Sequence, residues 1–100
     1  MINSTSSIAL SGLKAAQTRL DVSAHNIANL QTGDFRRQEV RQESTPGGGT
    51  RATVQRAPAP GEALAQDVVE QMGARYAFIA SLKVIETDRK MTGALLDEKA

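Results

Sequence analysis

One hundred residues allow at most one domain, and this chain has little from which to build a core: its only aromatics are Phe35, Tyr76 and Phe78, and alanine makes up much of its apolar content. Twelve Lys and Arg against eleven Asp and Glu leave no basic excess of the kind that nucleic-acid-binding domains carry, and no cysteine is present for disulfides or thiolate chemistry. No apolar run approaches the length of a membrane span, so neither nucleic acid nor direct membrane insertion is expected.

The opening M-I-N-S-T-S-S-I-A lacks the basic start and apolar stretch of a cleavable secretion signal. Asn3, Ser4 and Ser6 are competent N-caps, and a first helix is predicted over residues 3–31. Leu13, Leu20 and Ile27 recur every seven residues, and Ala9, Ala16, Ser23 and Leu30 fall four before them or three after. That is a heptad seam in which one core position is usually small. Gly12 inside the helix costs about 1 kcal/mol relative to Ala; it is either tolerated or marks close contact with a neighbouring helix. Asn29, Thr32 and Gly33 favour a turn over continued helix. Asn26 and Asn29 have two readings. Their amides either terminate the helix or hydrogen-bond to a neighbouring subunit and fix its register.

Residues 32–61 form a connector. F-R-R-Q-E-V-R-Q-E, from Phe35 to Glu43, is polar apart from Phe35 and Val40, and Arg36 and Arg37 read by default as a solvated face. T-R-A-T-V-Q-R-A, from Thr50 to Ala57, alternates with Ala52 and Val54 on one side, and S-T-P-G-G-G between the two runs is a turn. This predicts a weak β-hairpin, or an extended excursion ordered only by neighbours, since an isolated two-stranded hairpin is marginal in water. The prolines of A-P-A-P-G then stop any strand from running on.

A second helix is predicted over residues 62–96, with Glu62, Asp67 and Glu70 near its positive end. Its apolar positions are Ala65, Val68, Met72, Ile79 and Leu82, interrupted by Arg75, and then Val84, Ile85, Met91, Leu95 and Leu96. Val84 to Leu95 and Ile85 to Leu96 are eleven-residue spacings, so the stripe drifts and touches more than one neighbour.

No catalytic constellation is present. His25 is the only histidine and no second ligand lies at metal-binding spacing. No His–Asp pair is available to activate the N-terminal serines, and the glycines at 47–49 precede no phosphate-loop helix. Glu86 and Asp88 fall on different faces of a helix and read as solvated. The chain is not expected to be an enzyme, and no cofactor is implied.

The run formed by Leu20, Asn26, Ile27, Ala28, Asn29 and Thr32, followed by Gly33, Phe35, Arg36 and Arg37, resembles the N-terminal signature of bacterial flagellar axial proteins. Phe78, Ala80, Lys83, Val84, Ile85, Thr87, Met91, Leu95 and Leu96 resemble that family's closing helix, with Ser81 where an Asn is usual. The resemblance covers both ends of the chain in the right order. It implies a structural subunit of the basal-body rod in the periplasm, exported unfolded through the flagellar type III apparatus, with other copies and neighbouring rod proteins as partners. With only about thirty residues between its helices, the chain looks most like a short proximal rod protein. A small helical adaptor or export-linked regulator that stays outside the tube is the alternative.

The expected fold is mainly α: an antiparallel, coiled-coil-like pair of long helices with a short hairpin or extended excursion between them. Assembly is expected to use Leu13, Ala16, Leu20, Asn26, Ile27, Asn29, Leu30 and Phe35, with Val68, Met72, Phe78, Ile79, Leu82, Val84, Ile85, Met91 and Leu95 from the second helix. Alanine-rich seams bury too little to offset a chain entropy of about 1–2 kcal/mol per residue, so the isolated protomer is expected to be weakly ordered.

Overall fold

The computed structural model describes residues 5–61 and 63–99, with side chains through Asp97. In chain order it contains α1 (Thr5–Ala28), β1 (Gln38–Ser44), β2 (Thr50–Arg56) and α2 (Leu64–Lys99). The candidate caps Asn3 and Ser4, and the expected start at Glu62, lie outside the described residues.

The first helix ends three residues earlier than expected, at Ala28. The Asn29 side chain donates to the His25 carbonyl at 2.9 Å, beside the backbone N–H of Asn29 at 3.1 Å, and Leu30 N–H then bonds back only three residues, to Ile27 O. The last turn therefore tightens and the helix stops. The left-handed residue of the exit is Asp34, at φ 59°, rather than the neighbouring Gly33; a short polar side chain tolerates this conformation. Phe35 then folds back edge-on to His25, with ring centroids 5.3 Å apart.

The connector forms a hairpin. Its strands pair antiparallel from Gln38↔Arg56 to Ser44↔Thr50, so β1 begins three residues after Phe35 and extends one beyond Glu43. Gly47, Gly48 and Gly49 take φ of 84°, 97° and 99°, a left-handed run open to glycine and closed to most other residues. The hairpin rests on α1 and makes no backbone approach to α2 among the described residues. At its tip the Thr50 N–H donates to Ser11 Oγ at 3.0 Å. At its base the Asn26 amide pairs with both backbone groups of Gln38. An isolated hairpin is marginal; this one is fastened at both ends.

The second helix runs 36 residues, beyond the expected end at Leu96, and packs antiparallel on the other flank of α1. The order of contacts sets the register: Ser6 with Asp88, Gly12 against Ser81, Arg19 with Glu70, and Asn26 with Asp67. Asp67, Ala74, Ser81 and Asp88 are spaced by seven, a heptad of small and polar residues facing α1. A Cβ on Gly12 would lie 3.1 Å from Ser81 Oγ, so of the two readings of this glycine the structure favours close helix approach. Asp88, expected to be solvated, is half-buried and accepts from the Ser6 hydroxyl.

Hairpin, α1 and α2 thus form a narrow body of 63 × 24 × 14 Å. Among the described residues the buried apolar ones are Ala9, Ala15, Ala16, Val22 and Ala74, and four of these five are alanine. Alanine gives close approach and little apolar area.

Candidate functional site

A polar latch closes one end of the helix pair. Asp67, only 2 % exposed, lies on the α1-facing side of α2 and receives the Arg37 guanidinium in a two-pronged ion pair, with Nε 3.1 Å from Oδ2 and Nη2 against Oδ1. Asn26, 3 % exposed, donates to Asp67 Oδ1 at 3.4 Å and to the Gln38 carbonyl at 2.9 Å, and accepts from the Gln38 N–H at 2.8 Å. Three segments distant in sequence, the end of α1, the entry to β1 and the first turn of α2, are joined by one cluster. Among the described residues no buried side-chain nitrogen or oxygen lacks a partner, as buried polar groups require.

The hydrogen bond to Asp67 raises the Arg37 guanidinium above its ordinary value; desolvation opposes the rise, and the charges of Asp67 and Glu39 add to it. A cation whose pKa is raised on folding stabilises the fold below its unfolded value and loses that effect only as pH climbs through the folded one. Arg37 therefore stays charged throughout the neutral range.

Arg37 is accordingly no member of a solvated face; its side chain is 16 % exposed and spent within the chain. The two asparagines also separate. Asn29 ends the helix, whereas Asn26 pairs with a strand and with Asp67. The heptad signal that finds this latch, Asp67 recurring with Ala74, Ser81 and Asp88, has no large side chain in it.

The remaining candidates divide by face. Ala16 is buried, and Leu13, Leu20, Ile27, Leu30, Phe35, Phe78 and Ile85 are half-buried around the seam. Val68, Met72, Ile79 and Leu82 lie open on one flank of α2, between 39 % and 55 % exposed. Val84, Met91 and Leu95 lie open on the other, at 43 %, 63 % and 59 %. Met91 and Leu95 lie further along α2 than the Ser6–Asp88 hydrogen bond. A cleft of about 430 Å³ opens where the hairpin tip, α1 and α2 converge, bounded by Ile8, Ala9, Thr50, Ala80 and Val84 among others. Among the described residues no helix is long and apolar enough to cross a membrane.

These features define a class: a thin helical protomer held in register by small and polar side chains, with its large apolar side chains on open faces. Residues 7–36, most of α1 and the turn that follows, match the family model described as flagella basal body rod protein. The matched stretch includes Asn26, Asn29 and Phe35 and stops one residue before Arg37. No curated protein matches the chain.

Proposed function

We propose that this chain is a structural subunit of the flagellar basal-body rod, assembling through α1 and α2 with other copies and neighbouring rod proteins into a torque-transmitting tube. The observation that carries the reading is the open surface of α2. Eleven large hydrophobic side chains between Leu64 and Leu96 are at least 39 % exposed, against a core that is nearly all alanine. Apolar surface on this scale marks contact with other proteins. The family match to α1 supports the basal-body rod as that assembly. On this reading the interfaces are head-to-tail and non-closing, which builds a tube rather than a ring. The subunit has a mechanical and not an enzymatic role, and needs no cofactor. The short connector favours a proximal position in the rod, and export runs through the flagellar type III apparatus.

Deleting the gene tests this. The expected strain is non-motile, without hook or filament, and the chain is found in basal bodies purified from the complemented strain. Intact motility in the deletion strain overturns the rod reading and favours the adaptor. In isolation, dilute chain is expected to show weak helical circular dichroism that grows as it associates.

A further inference from the structure

One flank of α2 carries a second heptad that the described residues leave exposed. Val68, Met72, Arg75, Ile79, Leu82 and Glu86 follow one another at alternating steps of four and three, the a/d spacing of a coiled-coil seam. All six are exposed. At about 100° per residue this seam lies roughly a third of a turn round the helix from the Asp67–Ala74–Ser81–Asp88 line that faces α1. The hairpin shares its clefts with the other flank, at Gln66 and Val84, and leaves this one unobstructed.

The seam is apolar at its centre, and its two charged members stand symmetrically about that centre. Arg75 is four residues before Ile79, and Glu86 is four after Leu82. This symmetry selects an orientation. In an in-register parallel pair each residue meets its own copy, so Arg75 faces Arg75 and Glu86 faces Glu86, which is repulsive. In an antiparallel pair centred between Ile79 and Leu82, Ile79 meets Leu82 of the second copy. Arg75 then meets Glu86 of the second copy, and the contact occurs twice. The surface is shaped for it: Met72, Arg75, Tyr76 and Ile79 surround a hollow of about 210 Å³. These are positions i, i+3, i+4 and i+7, the four sides of a hole that takes one knob from a facing helix. The knob arriving in the antiparallel arrangement is Glu86 of the second copy.

We propose that the Val68–Glu86 flank of α2 is a homodimerisation surface, on which a second copy of this chain packs its own α2 antiparallel, with Arg75 and Glu86 forming two symmetric ion pairs. Within the protomer Glu86 holds Lys90 at 3.3 Å, both side chains more than half exposed. Such a surface pair is weak and yields to the planar fork of an arginine. The dimer is isologous and closes on two copies. A tube of like-oriented subunits cannot contain it, so it is a form of the chain outside the tube that dissociates before assembly. The dimer stands whether or not the rod reading does, because it rests on the charge symmetry of the seam.

Sedimentation velocity over a range of chain concentrations is expected to show a monomer–dimer equilibrium. Arg75→Glu or Glu86→Arg alone should weaken the dimer at least about tenfold, and the two together should restore it. The chain has no cysteine, so orientation is read by oxidising a mixture of the single variants Arg75→Cys and Glu86→Cys. The mixed dimer keeps one Arg75–Glu86 pair and is expected to give the mixed disulfide in preference to either like one. A chain that stays monomeric at all concentrations, a double exchange that fails to restore association, or preferential disulfides between like cysteines overturns the proposal. If a charge variant loses helix, the cysteine mixture alone decides. Motility plays no part in these readouts, so failure here is distinct from failure of the rod reading.

Discussion

Replacing Arg37 by Met keeps most of the aliphatic stem and removes the guanidinium from a carboxylate that is 2 % exposed. Of the side-chain partners that hold Asp67, only the long Asn26 bond of 3.4 Å then remains. Breaking a buried ion pair on one side costs about 3–5 kcal/mol, most of it the penalty of the stranded charge rather than the lost attraction. A second substitution should therefore repair the first. With Asp67→Asn added to Arg37→Met, no charge is buried, and the cost should fall to about 1 kcal/mol for each neutral hydrogen bond still missing. The assay is urea unfolding followed by far-UV circular dichroism, at one fixed chain concentration because association adds to apparent stability. A stabilising osmolyte keeps the weaker variants on scale. If Arg37→Met costs less than about 1 kcal/mol, the value of an exposed pair, or if the double variant is weaker than the single, the latch is not what joins the three segments.

Four further outcomes are expected. Asn26→Asp forfeits the donor to Gln38 O and sets a second carboxylate 3.4 Å from Asp67, about 5 kcal/mol of repulsion at an effective dielectric of about 20 before Arg37 offsets it. It should cost more than Asn26→Ala, with loss of hydrogen-exchange protection at the Gln38 amide. Gly12→Leu meets Ser81 where even a Cβ would sit at 3.1 Å; about 1–3 kcal/mol should be lost to overpacking and partly recovered with Ser81→Gly. Gly49→Ala, at φ 99° with its Cβ 2.8 Å from Ser11 Oγ, should release the hairpin tip and speed proteolysis at Thr45–Thr50 while α1 and α2 keep their helicity. Because the Arg37 pKa is raised, the urea midpoint of the unsubstituted chain should not fall as pH rises from about 7 to about 9, both below the ordinary arginine value.

The first helix was legible because its repeat is carried partly by Leu13, Leu20 and Ile27, although the residues buried against the rest of the chain are their small companions Ala9, Ala16 and Ser23. On α2 the same count does not find the seam within the chain, for a physical reason. Counting large apolar residues finds the faces that are oily, and here those faces are open; Val68, Met72, Ile79 and Leu82 are 39–55 % exposed and none is among the buried residues. The seam within the chain is Asp67, Ala74, Ser81 and Asp88, whose seven-residue repeat is visible in the letters but carries almost no hydrophobicity. The hairpin was read from alternation and from Gly47–Gly49, while its fastening to Ser11 and Asn26 could not be, since local pattern says nothing about which distant hydroxyl or amide satisfies a strand end. Arg37 looked like one of a solvated pair for the same cause: its partner lies thirty residues away.

The molecule is 14 Å through its thinnest direction, little more than the width of one helix with its side chains, about 10–12 Å. A sheet of material resists flexing in proportion to the cube of its thickness, so a slab this slender is pliant on its own. Curving such slabs edge to edge into a closed wall moves the material away from the axis, where it opposes twisting far more strongly. On the rod reading proposed above, stiffness belongs to the cylinder, and each pliant tile is free to adjust its own curvature as the wall closes.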